Sequence, residues 1–328
     1  MMHMPRSASK LEDFGELFEP SEAAEPILAR GVRQALTEWL TEIWAEDELI
    51  AAGVSPRKRA MFTGAPGTGK TTLAHHLAAR LGLRMLAVRP DRLISKWCGQ
   101  TSEQIGELFT LAAEPTAAEL ADGGEKTEPV LLFFDEFDAV SRQRRRSEQG
   151  SDDEKNAIVD TMLQRIEQHR GYLVAATNYA EAIDQAIWRR FDMHITLELP
   201  GQGERERILA RYFAPFVLPK AALHVLAESC ETASPALMRA LAENIKRALI
   251  VGPKLGADMD KRAVFGRVLS AIHPHPDLGK PRLWSLGVAD PAIAALPWPL
   301  TRDGEVAEVA AAPTISCAGV VPFRRPAP

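Results

Sequence analysis

The sequence of 328 residues is poor in cysteine and carries no excess of positive charge. Its three cysteines, Cys98, Cys230 and Cys317, lack paired spacing, which predicts neither a disulfide framework nor a zinc site and suits a reducing cytoplasm. A formal net charge of −5 argues against a globally basic nucleic-acid binder, although local basic patches are compatible with it.

Long apolar runs are missing as well. No run approaches the length that crosses a bilayer, and residues 1–10 lack the apolar centre of a signal peptide. We therefore expect a cytoplasmic protein without a membrane partner. The hydrophobic fraction of 46% and the charged fraction of 25% are ordinary for a soluble globular protein.

The most informative stretch is GAPGTGKT, from Gly64 to Thr71, which fits the phosphate-binding pattern G-x-x-x-x-G-K-S/T. Glycines in such a loop allow backbone angles closed to other residues, so that successive N–H groups can turn toward one anion. Lys70 would bring a positive charge to the β- and γ-phosphates, and Thr71 would offer a hydroxyl to Mg²⁺. The apolar residues 59–63 predict a strand before the loop, and residues 72–81 predict a helix whose N-terminus faces the phosphates.

Two carboxylates follow the most apolar run of the chain, Val130–Phe134. Asp135 comes directly after this predicted strand, where a Walker B carboxylate orients Mg²⁺. Glu136 comes one residue later and can polarise water for attack on the γ-phosphate. Asn178 ends the next predicted strand, where it could contact the γ-phosphate or hold the attacking water.

Strand and helix patterns alternate from about residue 55 to residue 200, with further strands predicted at 84–88, 172–176 and 195–199. This alternation predicts an α/β fold with a parallel sheet and helices on both faces. Residues 1 to about 20 are polar and mixed, and we expect them to be loosely ordered, whereas residues 21–52 show a helical pattern. From Gly201 onward the patterns are helical only, and Ser234 followed by Pro235 predicts a helix N-terminus.

Five motifs occur in the order found in AAA ATPases: GAPGTGKT, SKWCGQTSEQIGELF at 95–109, LLFFDEFDA at 131–139, AATN at 175–178 and DQAIWRRFD at 184–192. Residues 55–250 therefore resemble the short, single-module bacterial members of this family. The resemblance implies a P-loop NTPase αβα sandwich with a parallel sheet, a small helical lid, and a ring, usually a hexamer, with ATP and Mg²⁺ at subunit interfaces.

The resemblance also divides the chain and assigns roles to its residues. We expect an N-terminal helical segment (1–54), an αβα nucleotide-binding domain (55–200), a helical lid (201–275) and a Pro/Ala-rich, partly disordered tail (276–328). By motif, Glu136 is catalytic, Asn178 is sensor 1, and Arg189 and Arg190 are arginine fingers that act in trans. Thr71 and Asp135 are the expected ligands of Mg²⁺. The residues expected to contact the nucleotide are Gly64, Ala65, Pro66, Gly67, Thr68, Gly69, Lys70, Thr71, Thr72 and Asp135.

Several assignments stay open. Lys96, Trp97 and Cys98 match pore loop 1, whose aromatic grips a threaded polypeptide, but such an aromatic is also a common core anchor. The compact segment 184–192 does not say which arginine reaches the γ-phosphate. The lid segment 232–241 has no arginine where wider AAA+ proteins place sensor 2, and Arg239 is only a weak candidate for that role. The cluster of Arg142, Arg144, Arg145 and Arg146 either attracts acidic peptide or nucleic acid at a channel, or is a solvated loop neutralised by nearby acids.

We therefore expect a ring-forming, homo-oligomeric ATP hydrolase that remodels or unfolds protein substrates, in the manner of a chaperone, with a protein substrate or adaptor as its partner. The motif H-E-x-x-H is absent from the sequence, so we expect no membrane-protease relative. Two other functions fit the same motifs. One is an ATPase that acts on or is loaded onto nucleic acid, and the other is a switch whose ATP-dependent assembly matters more than threading.

Overall fold

The computed structural model describes residues 11–89, 101–113, 129–139 and 153–302. Within these ranges the chain forms a six-stranded sheet with the order β1–β3–β4–β5–β2–β6. Strands β2 to β6 run parallel to their neighbours, and β1 pairs antiparallel with β3. The strands are β1 (Glu16–Phe18), β2 (Arg59–Gly64), β3 (Arg84–Val88), β4 (Val130–Phe134), β5 (Leu173–Thr177) and β6 (Met193–Leu197).

Helices cover both faces of the sheet and continue beyond it. Helices α1 and α3 lie over one face, and α4, α5 and α6 lie over the other. None of the helices in the described ranges combines the length and apolar character of a membrane span. The helices are α1 (Arg30–Trp44), α2 (Glu46–Ala51), α3 (Lys70–Leu81), α4 (Thr101–Ala112), α5 (Asp153–Gln168), α6 (Gln185–Trp188), α7 (Gln202–Phe213), α8 (Lys220–Ser229), α9 (Pro235–Val251), α10 (Lys261–Ala271), α11 (Arg282–Leu286) and α12 (Pro291–Ala295).

The central strand β4 explains why its sequence is apolar without interruption. Phe133 packs into the core beneath α1 and α3, whereas Leu132 and Phe134 pack into the core beneath α4 and α5. Every residue of β4 is buried, because side chains that alternate between two covered faces never meet water. The chain leaves this apolar environment at Asp135, the first residue after the strand.

The N-terminal edge of the sheet differs from the sequence expectation. Residues up to about 20 are expected to be loosely ordered, but Glu16–Phe18 forms a strand in which Leu17 lies opposite Leu86. The sheet is therefore mixed at this edge rather than parallel throughout. A three-residue strand in a polar segment shows no periodic signal, because its pairing is a tertiary contact. Helix α1 begins at Arg30 rather than near residue 21, since Pro26 disfavours helical backbone in the residue before it.

Helices α7 to α12 pack around a separate apolar core, the lid core, which includes Phe213, Leu241 and Phe265. Ser234 caps α9, because the backbone N–H of Leu237 donates to its Oγ at 3.3 Å. Part of the segment assigned to a tail from residue 276 belongs to this core: Leu283 and Ile293 are buried in it. Residues 303–328 lie outside the described residues.

Candidate active site

The phosphate-binding loop joins the end of β2 to the start of α3, as its sequence predicts. Gly64 has a φ of +146°, and a Cβ atom there would lie 2.2 Å from the carbonyl oxygen of Leu197 in β6. Gly67 has a φ of +76°, and a Cβ atom there would lie 2.8 Å from the side chain of Ala236 in the lid. The backbone N–H of Ala236 also donates to the carbonyl oxygen of Gly67 at 3.2 Å. The loop therefore contacts both the sheet and the lid directly.

The side chain of Lys70 lies inside this loop. Its ammonium donates to the carbonyl oxygens of Gly64 at 2.7 Å and Ala65 at 3.0 Å, and to Oδ1 of Asn178 at 2.6 Å. Burial lowers the pKa of Lys70 to about 8, although the nearby carboxylate of Asp135 acts in the opposite direction. Lysine and asparagine, 108 positions apart in the sequence, thus meet at the carboxyl ends of the neighbouring strands β2 and β5.

Asp135 and Thr71 form an oxygen pair beside Lys70. The hydroxyl of Thr71 donates to Oδ2 of Asp135 at 3.3 Å, and Oδ1 of Asp135 accepts from the backbone N–H of Glu136 at 3.0 Å. Among the described residues no cluster of three or more His, Cys, Asp or Glu side chains could hold a metal by itself. One carboxylate and one hydroxyl nevertheless suit Mg²⁺, which keeps waters and takes phosphate oxygens as its other ligands.

Glu136 has the single positive φ of a residue other than glycine in the described ranges, at +53°. A backbone angle in this region costs of order 1–3 kcal/mol, and such strain concentrates at functional sites. Its Oε2 forms an ion pair of 2.9 Å with Arg89, which follows β3, and both side chains are about half exposed. Glu136 lines the same cavity as Lys70, Thr71, Asp135 and Asn178, with a volume of about 320 Å³.

Arg189 and Arg190 lie at the opposite end of the sheet from this cavity. They precede β6, whose first residue pairs with the amino-terminal part of β2, so about 17 Å of strand separates them from the phosphate-binding loop. Arg190 forms an ion pair of 3.0 Å with Glu167 and donates to the carbonyl oxygen of Ala186 at 2.7 Å. Arg189 is exposed. The structure therefore does not bring these arginines together with Lys70, Asp135 and Glu136.

The cavity of about 320 Å³, which the phosphate-binding loop lines, is here called the phosphate cavity. A second cavity, of about 80 Å³, adjoins it. Its walls come from residues 24–28, from the loop and α3, and from the lid helix α7. The two cavities share Gly69, Thr72, Tyr212 and Pro235, so they form one continuous cleft between the sheet and the lid. The side chains that line only the smaller cavity are mostly apolar, which suits a flat base better than a phosphate.

Comparisons with known proteins agree with this geometry. Residues 60–199 match the model of the ATPase family associated with various cellular activities, AAA. The chain therefore carries an AAA domain at residues 60–199. It is 37% identical over 205 residues to an uncharacterized AAA family ATPase, y4kL, of Sinorhizobium fredii, across 61% of this chain and 57% of that protein. It is 32% identical over 189 residues to proteasome-activating nucleotidase 2 of Halobacterium salinarum, across 55% of this chain and 42% of that protein.

The fold of the AAA domain and its lid is also found in solved structures. The crystal structure of the FIGL-1 AAA domain superposes with a TM-score of 0.62 at 21% identity, and the match covers 83% of this chain and 91% of that one. At this identity the likeness concerns the fold alone. The chain spans about half the length of the curated relatives described above. The predictions of an α/β P-loop fold and of an AAA-type domain are confirmed. The expectation of no membrane-protease relative is wrong, because the chain is 31% identical over 183 residues to the ATP-dependent zinc metalloprotease FtsH of Pelobacter propionicus, across 54% of this chain and 27% of that protein.

Other features of the AAA domain had no clear signal in the sequence. Residues 24–28 line the smaller cavity but are mostly apolar and were expected to be helical, and Arg89 directly follows an ordinary strand. Arg239, the weak sensor 2 candidate, reaches the wall of the phosphate cavity. There it pairs with Glu243 at 2.7 Å, which raises the pKa of Arg239, and it lies over the ring of Tyr212.

Two groups of predicted residues lie outside the described residues of the AAA domain. The first is the pore-loop set Lys96, Trp97 and Cys98. The second is the arginine cluster within 142–146. Their assignments stay predictions from the sequence.

The pKa of Lys70 generates a testable prediction for the AAA domain. A bound triphosphate would favour the charged ammonium and raise this pKa above its value of about 8. Nucleotide binding should then take up a proton above about pH 8, and affinity should fall as the pH rises from about 7.5 to 9.5, by up to about tenfold per unit. Isothermal titration calorimetry in two buffers with different ionisation enthalpies measures both the affinity and the proton uptake.

Lys70→Arg is the matched control, because arginine keeps its charge over this pH range. Any affinity that this variant retains should not change between about pH 7.5 and pH 9.5. Proton uptake of the same size in both proteins would contradict the assignment to Lys70.

Proposed function

We propose that this chain is an ATP hydrolase that binds the triphosphate on the loop from Gly64 to Thr71 and the base in the adjoining cavity. The observation that carries the proposal is the meeting of Lys70, Asp135 and Asn178 at the carboxyl ends of β2, β4 and β5. These three strands adjoin one another in the sheet. The N-terminus of α3 and the loop amides face this edge, and both attract a polyanion.

The side chains present suit phosphoryl transfer from ATP to water. Thr71 and Asp135 would hold Mg²⁺, which when bound neutralises charge on the β- and γ-phosphates. Lys70 would exchange its carbonyl partners for phosphate oxygens. Asn178 would orient a water beside the γ-phosphate, and Glu136 would accept the proton of that water as its oxygen attacks phosphorus and ADP leaves. For this step Glu136 has to turn away from Arg89.

The placement of the two arginines supports a site completed by a second protomer. An arginine in trans stabilises charge that develops on the transferred phosphoryl group. Arg189 is exposed at the far end of the sheet, too distant to serve the loop of its own chain, whereas Arg190 is held by Glu167. We therefore propose a homo-oligomeric ring, a hexamer, in which Arg189 is the main group that reaches the neighbouring nucleotide.

The proposed work of this ring is the remodelling or unfolding of protein substrates through a central pore. Proteasome-activating nucleotidase 2, a relative at 32% identity, bears a name that ties it to the proteasome. Lys96, Trp97 and Cys98 supply the motif whose aromatic would grip the polypeptide. An aromatic grip of this kind carries little sequence preference, so the proposed client class is unfolded or partly unfolded protein, delivered directly or by an adaptor.

Glu136→Gln tests the proposed base. The amide keeps the shape of the side chain but cannot accept the proton, so hydrolysis should fall by on the order of 10²- to 10⁴-fold while ATP binding persists. Phosphate release measures turnover, and titration with a fluorescent ATP analogue measures affinity. Glu181→Gln, an exposed change in the turn after β5, is the matched control and should leave both unchanged. Normal turnover in Glu136→Gln would remove Glu136 from its proposed role.

Arg189→Ala tests the completion of the site in trans. Turnover should fall by on the order of 10³-fold, as for other arginine fingers. Mixing this variant with Lys70→Ala should restore part of the activity, because some interfaces would then combine an intact loop with an intact arginine. Phosphate release across a series of mixing ratios measures the rescue. A series with no rescue at any ratio would argue for a site built by one protomer.

Trp97→Ala tests the pore. The wild type should hydrolyse ATP faster in the presence of casein, an unstructured protein probe, than in its absence. The variant should lose this stimulation while it keeps its basal turnover. Trp44→Ala, which removes a partly exposed tryptophan at the end of α1, is the control. Stimulation that survives in Trp97→Ala would contradict the pore assignment. Stimulation by single-stranded nucleic acid instead, lost when the arginines within 142–146 are neutralised, would favour the nucleic-acid alternative.

A further inference from the structure

Residues 24–28, here called the strap, run without regular secondary structure from the short 3-10 helix Pro20–Glu22 toward α1. Two adjacent residues of the strap pack into different cores. Ile27 packs against the lid core, and Leu28 packs against the core between the sheet and helices α1 and α3. Through these two neighbouring side chains the strap joins the two cores across the cleft.

Arg211 on α7 fastens the strap to the lid. Its Nη1 donates a hydrogen bond to the carbonyl oxygen of Glu25. The acceptor belongs to the main chain, so this contact depends on the course of the strap and not on the side chain of Glu25. A guanidinium makes a strong donor here, because hydrogen bonds from charged groups contribute more than those between neutral groups.

The chain just before the strap is held by the nucleotide-binding domain rather than by the lid. Nε2 of His75, on α3, lies 2.8 Å from the carbonyl oxygen of Glu19. The ring of Phe18 also lies against His75, with 5.3 Å between the ring centroids. The chain is thus attached to α3 before the strap and to the lid within the strap, so a separation of the lid from the sheet must strain or break these contacts.

The strap forms one wall of the smaller cavity, opposite the loop and α3. Ile208, Arg211 and Tyr212 of α7 complete the wall on the lid side. A ligand in this cavity would touch the strap and the lid at once. Its departure would be fastest when those two walls part, which requires the contact between Arg211 and the strap to break.

We propose that Arg211 is a positioning residue that latches the strap to the lid, and that opening of this latch sets the rate of nucleotide release. The proposal rests on the proposed function, since it takes the smaller cavity as the base site. Arg211 acts through the strap and not on the phosphates. Loss of the latch therefore accelerates release without slowing the chemical step.

The test measures release of ADP that carries a fluorescent N-methylanthraniloyl group, by stopped flow after mixing with excess unlabelled ADP. Arg211→Ala should release this probe about tenfold faster than the wild type, as expected for the loss of one charge-assisted hydrogen bond. Arg211→Lys should recover part of the slow release, because an ammonium can still donate to the carbonyl. Single-turnover hydrolysis of ATP should proceed at the wild-type rate in both variants.

Three matched variants separate the latch from other effects. Arg207 lies one turn earlier on α7 and bonds within its own helix, to the carbonyl of Gly203 and to Glu204, so Arg207→Ala removes the same charge without touching the strap. Glu22→Ala removes an exposed carboxylate just before the strap, outside the cavity, and leaves the carbonyl acceptor of Glu25 in place. Both should release the probe at the wild-type rate. Ile27→Ala loosens the strap at the lid core and should accelerate release as Arg211→Ala does.

Wild-type release in Arg211→Ala would overturn the proposal, and so would equal acceleration in Arg207→Ala or Glu22→Ala. The affinity of Lys70→Ala for the same probe distinguishes failure of the latch from failure of the proposed function. If Lys70→Ala loses binding while Arg211→Ala behaves as the wild type, only the latch fails. If Lys70→Ala binds the probe as tightly as the wild type, the proposed function fails.

Discussion

The buried ammonium of Lys70 is the group on which the rest of the site depends. It donates to two carbonyl oxygens of its own loop and to Asn178 at the end of β5, and this oxygen cage offsets the loss of water around the charge. The same loop is bonded to the lid through Gly67 and Ala236. Sheet, loop and lid therefore meet around one cation. A phosphate that takes over its hydrogen bonds would release Asn178 and the loop carbonyls together.

The parallel direction of the strands determines which functional residues lie at each end of the sheet. Parallel strands place their carboxyl ends at one edge, so Asp135 and Asn178 arrive beside the loop without any proximity in sequence. The same direction places Arg189 and Arg190 at the other edge, where the ion pair with Glu167 holds one of them and the other is exposed. One protomer thus has the loop with the phosphate-binding motif at one end and an exposed guanidinium at the other. This polarity suits a head-to-tail ring, in which every interface is the same.

The sequence predicts the buried parts of this molecule well and the surface connections poorly. Strand β4 is predicted to the residue, because uninterrupted apolar residues occur where both faces are covered. Strand β6 was expected two residues too late, since its exposed His194 and Thr196 interrupt the apolar pattern. Strand β1, the strap and the pairing of Arg89 with Glu136 rest on tertiary contacts that leave no local pattern. The loop and the carboxylates could be found because phosphate chemistry requires those residue types at that spacing.

The central claim is that ATP is cleaved in a cleft that one protomer builds and its neighbour completes. The most direct measurement is turnover per protomer as a function of protein concentration, with the mass of the assembly followed in the same samples with ATP present. The account predicts that turnover per protomer rises as rings form and reaches a plateau when assembly is complete. A sample that stays monomeric with nucleotide bound, and whose turnover per protomer is the same at every concentration, would contradict it.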